Sequence, residues 1–538
     1  MYQGSIMILK KKTITKGVQQ IMEQGVLPFE YEEEKKDTGI TGLAGLPLYL
    51  DLARVVCLSK SIQKHLKIKE GGQGWTDVQM VISLILLNLA GGECVDDLKI
   101  LEADEGFCEI LCKIEVDGLT RKIRRALARR WRKEQQRTVP SPSTVFRYLK
   151  GFHDAEQEEL RKQSKVKAFI PAPSEHLKGF SKINKDLLAI LNTIIVHKTA
   201  TLDMDATLIE TSKKSALYSY KSSKAYQPLN TWWDEHKIIV HTQFRDGNVP
   251  AGYEQLRVLK EALECLPDNV KEVKLRSDTA GYQHDLLKYC ETGANERFGR
   301  IEFAIGCKVS KSFKIAVAQV PSNEWHPLYK TVNGRRLKTK TEWAEVCFVP
   351  NELCHSKNAP EYRYIAKRQL IDEQRTLPGM EEPDLELVDF PTMQMTEGKY
   401  KVFGIVTNIK ECQKNGEEVI HWLHARCGKS EEAHSVMKED LAGGKLPSWE
   451  FGANAAWWWI MILSLNVNSI MKQLALEPSM EKARMKRVRF TIINIPGRIL
   501  KGSRNLVIKL SKGNPSYRLF LDIRERLMML NEQLAPSG

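Results

Sequence analysis

TATLDMDATL, residues 199–208, is the stretch that decides the fold of this 538-residue chain. Its apolar side chains at positions 202, 204 and 206 alternate with carboxylates at 203 and 205, which is the period of a β-strand. An ionised carboxylate on such a strand is costly to bury unless it is paired or bound to a metal ion. Asp205 and Asp203 are therefore the first candidates for a functional site, and the sequence leaves both open.

Further carboxylates stand at the ends of other predicted elements. Asp278 follows a predicted strand, and Glu431 and Glu432 begin a predicted helix. Two strand ends and one helix start can bring three carboxylates together, and oxygen ligands suit Mg²⁺. A pair of such ions stabilises both the attacking and the leaving oxygen of a phosphoryl transfer. Patterning predicts strands at residues 237–244, 273–277, 301–305 and 401–408, and helices at 254–265, 283–289, 429–441 and 454–465.

The order of these elements predicts an RNase H-like α/β fold, a mixed sheet flanked by helices. Asp278 lies 73 residues after Asp205, and Glu431 lies 153 residues after Asp278, which leaves room for a long insertion before the glutamate. Five motifs accompany this spacing: LDMDAT (202–207), LRSDTAGY (275–282), RCGKSEE (426–432) with Lys438, LPS (446–448) and NAAW (454–457). With these motifs, residues 40–515 resemble the DDE transposases of bacterial insertion sequences, in the branch with a β-rich insertion before the glutamate.

The resemblance implies which carboxylates are catalytic. Asp205 matches the family's first aspartate, which is followed two residues later by threonine, and Asp278 matches the second. Glu431 matches the glutamate, with Lys438 at the expected distance after it. The family places an arginine four residues before the glutamate, where this chain has Cys427, with Arg426 one position earlier. That departure keeps Glu432 open as the third carboxylate.

The resemblance also implies a reaction and its partners. The implied reaction is cut-and-paste transposition, in which DNA is cleaved at the transposon ends and the freed 3′-OH attacks target DNA. The implied cofactors are two Mg²⁺ ions, with Mn²⁺ as a substitute. Arg426, Lys429 and Lys438 are expected to contact phosphates of double-stranded DNA. A homodimer is expected when two transposon ends are synapsed.

Net charge independently indicates a polyanionic partner. The chain carries +14, but residues 121–137 carry +8 and residues 482–512 carry +10, which leaves the remaining residues at −4. Positive charge concentrated in this way is typical of nucleic-acid binding. The first basic run leads into a predicted N-capped helix at Ser141, as in a helix-turn-helix unit. The candidate DNA contacts are Arg121, Lys122, Arg124, Arg125, Arg129, Arg130, Arg147, Lys486 and Arg487.

Two tryptophan clusters are interpreted differently. Trp232 and Trp233 lie in a polar segment after the first aspartates and are candidates for stacking on DNA bases. The triplet at positions 457–459 lies inside a continuous apolar helix and is predicted to be core.

The domain hypothesis follows these patterns. Residues 1–190 are predicted to be a helical DNA-binding region, and residues 191–319 and 401–475 the two parts of the RNase H-like core. Residues 320–400 are the predicted β-rich insertion, and residues 476–538 a basic C-terminal region.

Composition excludes some classes of protein. The longest apolar run, residues 453–465, is shorter than the ~20 residues needed to span a bilayer. Eleven cysteines are too dilute for a disulfide framework. Composition thus favours a cytoplasmic protein that is not associated with a membrane, and the resemblance implies that this is the bacterial cytoplasm, with association with the nucleoid. Two alternatives stay open: an RNase H-like nuclease or resolvase without strand transfer, and a catalytically decayed, sequence-specific DNA-binding protein.

Overall fold

A computed structural model describes residues 39–68, 74–117, 119–123, 125, 137–164, 167–332, 334–350, 360–370, 394–396, 400–426, 429–502 and 505–534. Within them the helices, numbered α1 to α16 in chain order, are Pro47–Val55, Leu58–His65, Asp77–Ala90, Leu98–Ala103, Glu105–Glu115, Pro142–Lys150, Ala155–Gln163, Glu175–Ile194, Gln255–Cys265, His284–Glu291, Lys311–Ala318, Gly416–His424, Lys429–Ser435, Phe451–Leu474, Met485–Val488 and Ser516–Leu534. The strands β1 to β16 are Ile40–Thr41, Thr199–Ala206, Ile209–Glu210, Leu217–Tyr218, Lys224–Tyr226, Leu229–Trp233, Ile238–Gln243, Glu272–Ser277, Glu302–Cys307, His326–Val332, Arg335–Val346, Arg363–Leu370, Gln394–Thr396, Tyr400–Thr407, Gly497–Lys501 and Leu506–Lys509.

A single large mixed sheet organises the centre of the chain. Its first five strands lie in the order β7-β6-β2-β8-β9. β2, β6 and β7 form an antiparallel meander, whereas β8 runs parallel to β2 and β9 runs parallel to β8. Helix α9 connects β7 to β8, and α10 connects β8 to β9. This order and these directions are those of the RNase H-like fold, so the predicted fold class is confirmed.

The insertion extends this sheet. β14 pairs antiparallel with β9, and β12, β11 and β10 continue outward from β14 as antiparallel neighbours. A second small cluster of buried side chains, including Ile365, Ile405 and Ile420, packs helix α12 against this extension. The extension therefore has its own small core while sharing the backbone hydrogen bonding of the main sheet.

The two ends of the described chain form a joint module. Strand β1 pairs with β15, which pairs with β16, so the N-terminal strand completes a three-stranded sheet with the basic C-terminal region. Arg524 of α16 also forms an ion pair with Asp51 of α1 at 3.1 Å. The C-terminal basic segment is thus anchored on the helical N-terminal region.

Helix α14 is the buried axis of the molecule. Every residue from Phe451 to Met471 is buried, which confirms that the tryptophan triplet belongs to the core. Its polar side chains each reach a different neighbour: Asn468 accepts a hydrogen bond from Tyr49, and Ser464 accepts one from Asn88. Nε1 of Trp458 donates to Thr242 of β7 at 2.9 Å, so the helix ties the N-terminal helices to the main sheet.

Two asparagine side chains form hydrogen bonds with the backbone groups on the outer edge of β7. Asn466 accepts from the amide of Ile239 at 2.9 Å and donates to its carbonyl at 2.8 Å. Asn184 donates to the carbonyls of Ile239 and Val240, and the two asparagines bond each other at 2.7 Å. An exposed edge strand is a template for wrong pairing, so this capping ends the sheet inside the protein.

We expect Asn466→Ala to lower stability by about 1–3 kcal/mol, because it leaves the buried amide of Ile239 without its acceptor and Oδ1 of Asn184 without its donor. Thermal unfolding would show the loss as a lower Tm. The matched control is Asn323→Ala, since Asn323 is exposed and should leave Tm unchanged. Equal Tm values for the two variants would contradict the capping role.

No single helix among the described residues is long and apolar enough to cross a membrane, although α3 and the Val95–Ala103 segment pass that test together as a pair bent by 94°.

Candidate active site

The sheet places two of the predicted carboxylates side by side. β2 and β8 are parallel, with Met204 level with Ser277, so one more residue brings Asp205 level with Asp278. Neighbouring strands lie about 5 Å apart. The carboxyl ends of both strands are at the same edge of the sheet, which is why residues distant in sequence meet there.

Asp278 is held by the backbone that follows it. Its Oδ1 accepts a hydrogen bond from the amide of Ala280 at 3.0 Å, which caps a short 3₁₀ turn after β8. Desolvation, and then the neighbouring Asp205 carboxylate, raise the pKa of Asp278 above its usual range. Two carboxylates that oppose each other's ionisation in this way favour a cation between them.

Asp203 has a different role from Asp205, although both lie on the same face of β2. It is 2% exposed, and its two oxygens accept from Nε and an Nη of Arg276 at 2.6 and 2.7 Å. Arg276 also contacts Asp234 at 3.1 Å and donates to the carbonyl of Trp422 at 3.0 Å. Desolvation raises the pKa of Asp203, and Arg276 offsets part of that rise. Asp203 is therefore committed to a buried ion pair, whereas Asp205, two residues further along the strand, is only partly buried.

Helix α13 packs against the end of β2. Nδ1 of His434 lies 4.0 Å from Oδ2 of Asp205. Ala433, His434 and Met437 border a small cavity that both Asp203 and Asp205 also line. Position 431 precedes His434 by three residues and so shares its helix face. The Glu431 side chain lies outside the described residues, and Glu432 is exposed. A π-helical turn over Val436–Asp440 follows α13.

Two of the predicted phosphate contacts lie close to β2. Arg426 is 8% exposed, and one of its Nη atoms lies 3.4 Å from both Oδ2 of Asp205 and the carbonyl of Met204. Lys438 is half-buried, with Nζ 3.5 Å from the carbonyl of Leu208. In this arrangement Arg426 orients Asp205 and presents little surface to DNA, which differs from the sequence prediction because the guanidinium is drawn to the carboxylate.

Comparison with known proteins decides the family. Residues 34–532 match the model of a protein family described as the transposase DDE domain, group 1. The chain belongs to the DDE transposases. The prediction from the sequence is confirmed, and membership implies DNA cleavage and strand transfer, the chemistry of cut-and-paste transposition.

Other comparisons are more distant. No curated protein matches this transposase. Among solved structures, it is similar to the piggyBac transposase in a cryo-EM structure of a synaptic complex with hairpin DNA. The identity is 12%, the match covers 93% of this chain and 83% of that chain, and the TM-score is 0.37. The RNase H-like fold is assigned from the order and directions of the strands in the main sheet, and not from the similarity to this solved structure.

The base-stacking prediction is wrong for Trp233. This side chain is 0% exposed and packs edge-on against His236, with ring centroids 4.4 Å apart. A ring without an open face cannot stack on a base. Trp232 is half-buried, packs against the core and borders the small cavity beside Asp205.

The basic candidates of the transposase fall into two groups. Exposed side chains are found at Arg121, Lys122, Arg125, Arg147, Lys486 and Arg487. The other candidates, Arg124, Arg129, Arg130 and the Lys429 side chain, lie outside the described residues. Ser141 caps helix α6 as predicted, accepting from the amide of Thr144 at 3.3 Å.

Two residues that contact Asp203 or lie near Asp205 were not among the predicted site residues. Arg276 was quoted only as part of a motif, although a basic residue two positions before Asp278 on a strand is itself unusual in a core. For His434 the available signal is its position three residues after Glu431, which places both on one helix face. Arg276 pairs with Asp203 from the neighbouring strand and His434 approaches Asp205 from a helix, and such contacts are not visible in a linear pattern.

DDE transposases use divalent metal ions. Among the side chains that the structure describes, no group of three His, Cys, Asp or Glu residues is placed to hold a metal ion. The described part of the site provides two carboxylates, and the third candidate lies on a helix whose backbone is placed beside them.

Proposed function

We propose that this DDE transposase cuts DNA at the terminal inverted repeats of a bacterial insertion sequence and joins the freed 3′-OH to target DNA, with Asp205, Asp278 and Glu431 as its catalytic carboxylates. The observation that carries the proposal is the placement of Asp205 beside Asp278 at the ends of parallel strands. The packing of α13 on Asp205 supports position 431 as the third contributor.

The donor set fits hard cations. Asp205 and Asp278 offer only oxygen ligands, and the pKa of Asp278 is raised partly by Asp205, a repulsion that a cation between them would relieve. We propose that Asp205, Asp278 and Glu431 would hold two Mg²⁺ ions, replaceable by Mn²⁺. When bound, such ions activate the attacking hydroxyl and stabilise charge on the phosphodiester.

The other residues of the site position these carboxylates. Arg426 and His434 approach the same Oδ2 of Asp205 and so limit its rotation. The amide of Ala280 does the same for one oxygen of Asp278. Catalytic groups held in this way are ready for the reaction before the substrate arrives.

DNA would be held by the exposed basic residues. We propose that residues 1–190 and 476–538 act as DNA-binding regions, since they share the sheet β1-β15-β16 and expose Arg121, Lys122 and Lys486. Contacts of this kind go to phosphates and position the duplex without specifying its sequence. Synapsis of two transposon ends requires two active sites, so we propose a homodimer acting on the bacterial nucleoid.

Strand transfer tests the proposal directly. A duplex that ends in a recessed or flush 3′-OH of the transposon terminus should be joined to a target plasmid when Mg²⁺ or Mn²⁺ is present. EDTA should abolish the products, because the carboxylates alone do not activate the hydroxyl. Cleavage without joined products would instead support an RNase H-like nuclease, and binding without either would support a decayed DNA-binding protein.

A paired substitution identifies the third carboxylate. Glu431→Gln should abolish joining, whereas Glu432→Gln should leave it within a few-fold of the parent, since Glu432 is exposed. The opposite result would assign the role to Glu432.

A further inference from the structure

A small sheet beside the active site exposes aromatic rings that the proposed catalysis does not use. Strands β3, β5 and β4 form this sheet, in that order, between β2 and β6. Tyr218 is 65% exposed and Tyr220 is 75% exposed at its outer hairpin, and Trp449, from the loop before α14, is 58% exposed. We call Tyr218, Tyr220 and Trp449 the aromatic platform. Large rings left open to water are costly to expose, so an accessible group of them indicates a binding surface.

The platform is anchored to the core. Arg161 of α7 donates to both oxygens of Asp246 at 2.6 and 2.8 Å and to the carbonyl of Ser215 at 2.6 Å. The amide of Gly247 donates to the carbonyl of Ala225 at 2.9 Å. Arg161 and Asp246 are both buried. A buried, bidentate ion pair at its base holds the small sheet in one position.

The small sheet that carries Tyr218 starts close to Asp205, and β4 lies two strand spacings, about 10 Å, from β3. β3 begins four residues after Asp205, and four residues of extended chain span at most about 14 Å. Lys438 of the turn after α13 reaches the carbonyl of Leu208, between Asp205 and β3. DNA bound at the carboxylates would therefore pass within a few nucleotides of the platform.

Positive charge is interleaved with the rings. Residues 207–228 contain four lysines and one acidic residue, Glu210. Nζ of Lys213 lies 5.4 Å from the Trp449 ring centroid, and Nζ of Lys224 lies 5.7 Å from that of Tyr218. Cation–π contacts at exposed sites are weak, and the hydrogen bond that Nζ of Lys224 donates to the carbonyl of Lys214, at 3.2 Å, is also exposed. Each lysine can therefore exchange these contacts for a phosphate while a base takes its place on the ring.

We propose that the aromatic platform binds unpaired nucleotides of the DNA next to the cleavage site, by stacking bases on Tyr218, Tyr220 and Trp449 and pairing phosphates with the adjacent lysines. This inference rests on the proposed function, since it extends the same DNA path. Bases within a duplex are already stacked and hidden, so exposed rings select single-stranded segments. Strand cleavage next to a duplex end frees such segments.

The test uses a single-stranded oligothymidylate of about twelve nucleotides, without metal, so that binding is measured apart from catalysis. Tyr218→Ala with Tyr220→Ala should weaken its binding by about tenfold or more in fluorescence anisotropy. The Phe versions of both substitutions should keep the affinity, because stacking needs the ring and not the hydroxyl. The control is Tyr517→Ala, which removes an exposed ring (55% exposed) on α16 and should change nothing.

Each outcome separates this inference from the proposed function. Unchanged oligothymidylate affinity in the double Ala variant, with an unchanged Tm, would overturn the platform even if strand transfer proceeds normally. Loss of oligothymidylate binding would support the platform even in a chain that fails to join DNA ends. If light scattering shows that the double Ala variant loses a dimer while its oligothymidylate affinity is unchanged, the rings dock a second copy of the chain and the inference is wrong.

Discussion

Asp205→Asn is expected to reduce DNA cleavage and joining by at least about a thousandfold while leaving the fold intact. The amide keeps the shape of the side chain but removes the charge that the proposed metal site requires, and several kcal/mol of transition-state stabilisation correspond to this factor. Asp205 is only partly buried and lies at the end of β2, so Tm should hardly change. Strand-cleavage assays and a gel shift with the same duplex measure the two properties separately.

Asp203→Asn is the matched control, since it is the same change two residues away on the same face of the strand. Asp203 shares two short hydrogen bonds with Arg276, so its substitution should lower Tm. Any loss of DNA cleavage by this variant should be proportional to the fraction of the protein that is unfolded. A variant of Asp203 that folds normally and does not cleave, alongside an active Asp205→Asn, would reverse the assignment.

Arg276→Met is expected to destabilise the protein by about 3–5 kcal/mol, because it leaves the Asp203 carboxylate buried without its partner. Arg276 is 1% exposed, and it joins β2 to β8 directly beneath the catalytic edge. The second acidic neighbour, Asp234, keeps Lys237 at 2.7 Å, so the loss centres on Asp203. Thermal and denaturant unfolding should both show the change, together with reduced soluble yield.

A double substitution separates the charge from the packing. Arg276→Met with Asp203→Leu removes both members of the pair, and apolar replacements of similar volume are often neutral or stabilising. Most of the stability should therefore return. If Arg276→Met alone is as stable as the parent, Asp203 is not held as a charged partner and is again a candidate metal ligand.

Much of the site followed from local patterns. Alternation over residues 199–208 predicted β2, and β8 and helix α13 also lie where their patterns placed them, although α13 ends at Ser435 and is followed by a π-helical turn. Hydrogen bonding along the backbone and burial of one face act over a few residues, so a short stretch carries their signal. The carboxylates were found because they end or begin such elements.

Other predictions failed or stayed open because they depend on contacts between segments that are distant in sequence. Trp232 and Trp233 are adjacent in sequence, yet only the second is sealed in the core, because successive side chains of a strand point to opposite faces and each face meets a different neighbour. Arg426 could be predicted as basic, but its position against Asp205 depends on how α12 and α13 meet β2. The exposed rings of Tyr218 and Tyr220 showed no special pattern in the sequence.

The sequence by itself determined the class of this protein: the strand with Asp205, the spacing to Asp278 and Glu431, and the motifs around them identify a DDE transposase with an RNase H-like sheet. In the tertiary structure Asp203 and Asp205 have different surroundings, and that difference is the reason for proposing Asp205 as the catalytic carboxylate. Both lie on one face of one strand with the same chemistry, so no local property distinguishes them. The difference arises because Arg276 of the neighbouring strand meets Asp203 in the interior, whereas Asp205 lies one step further along, level with Asp278 at the edge where the sheet ends.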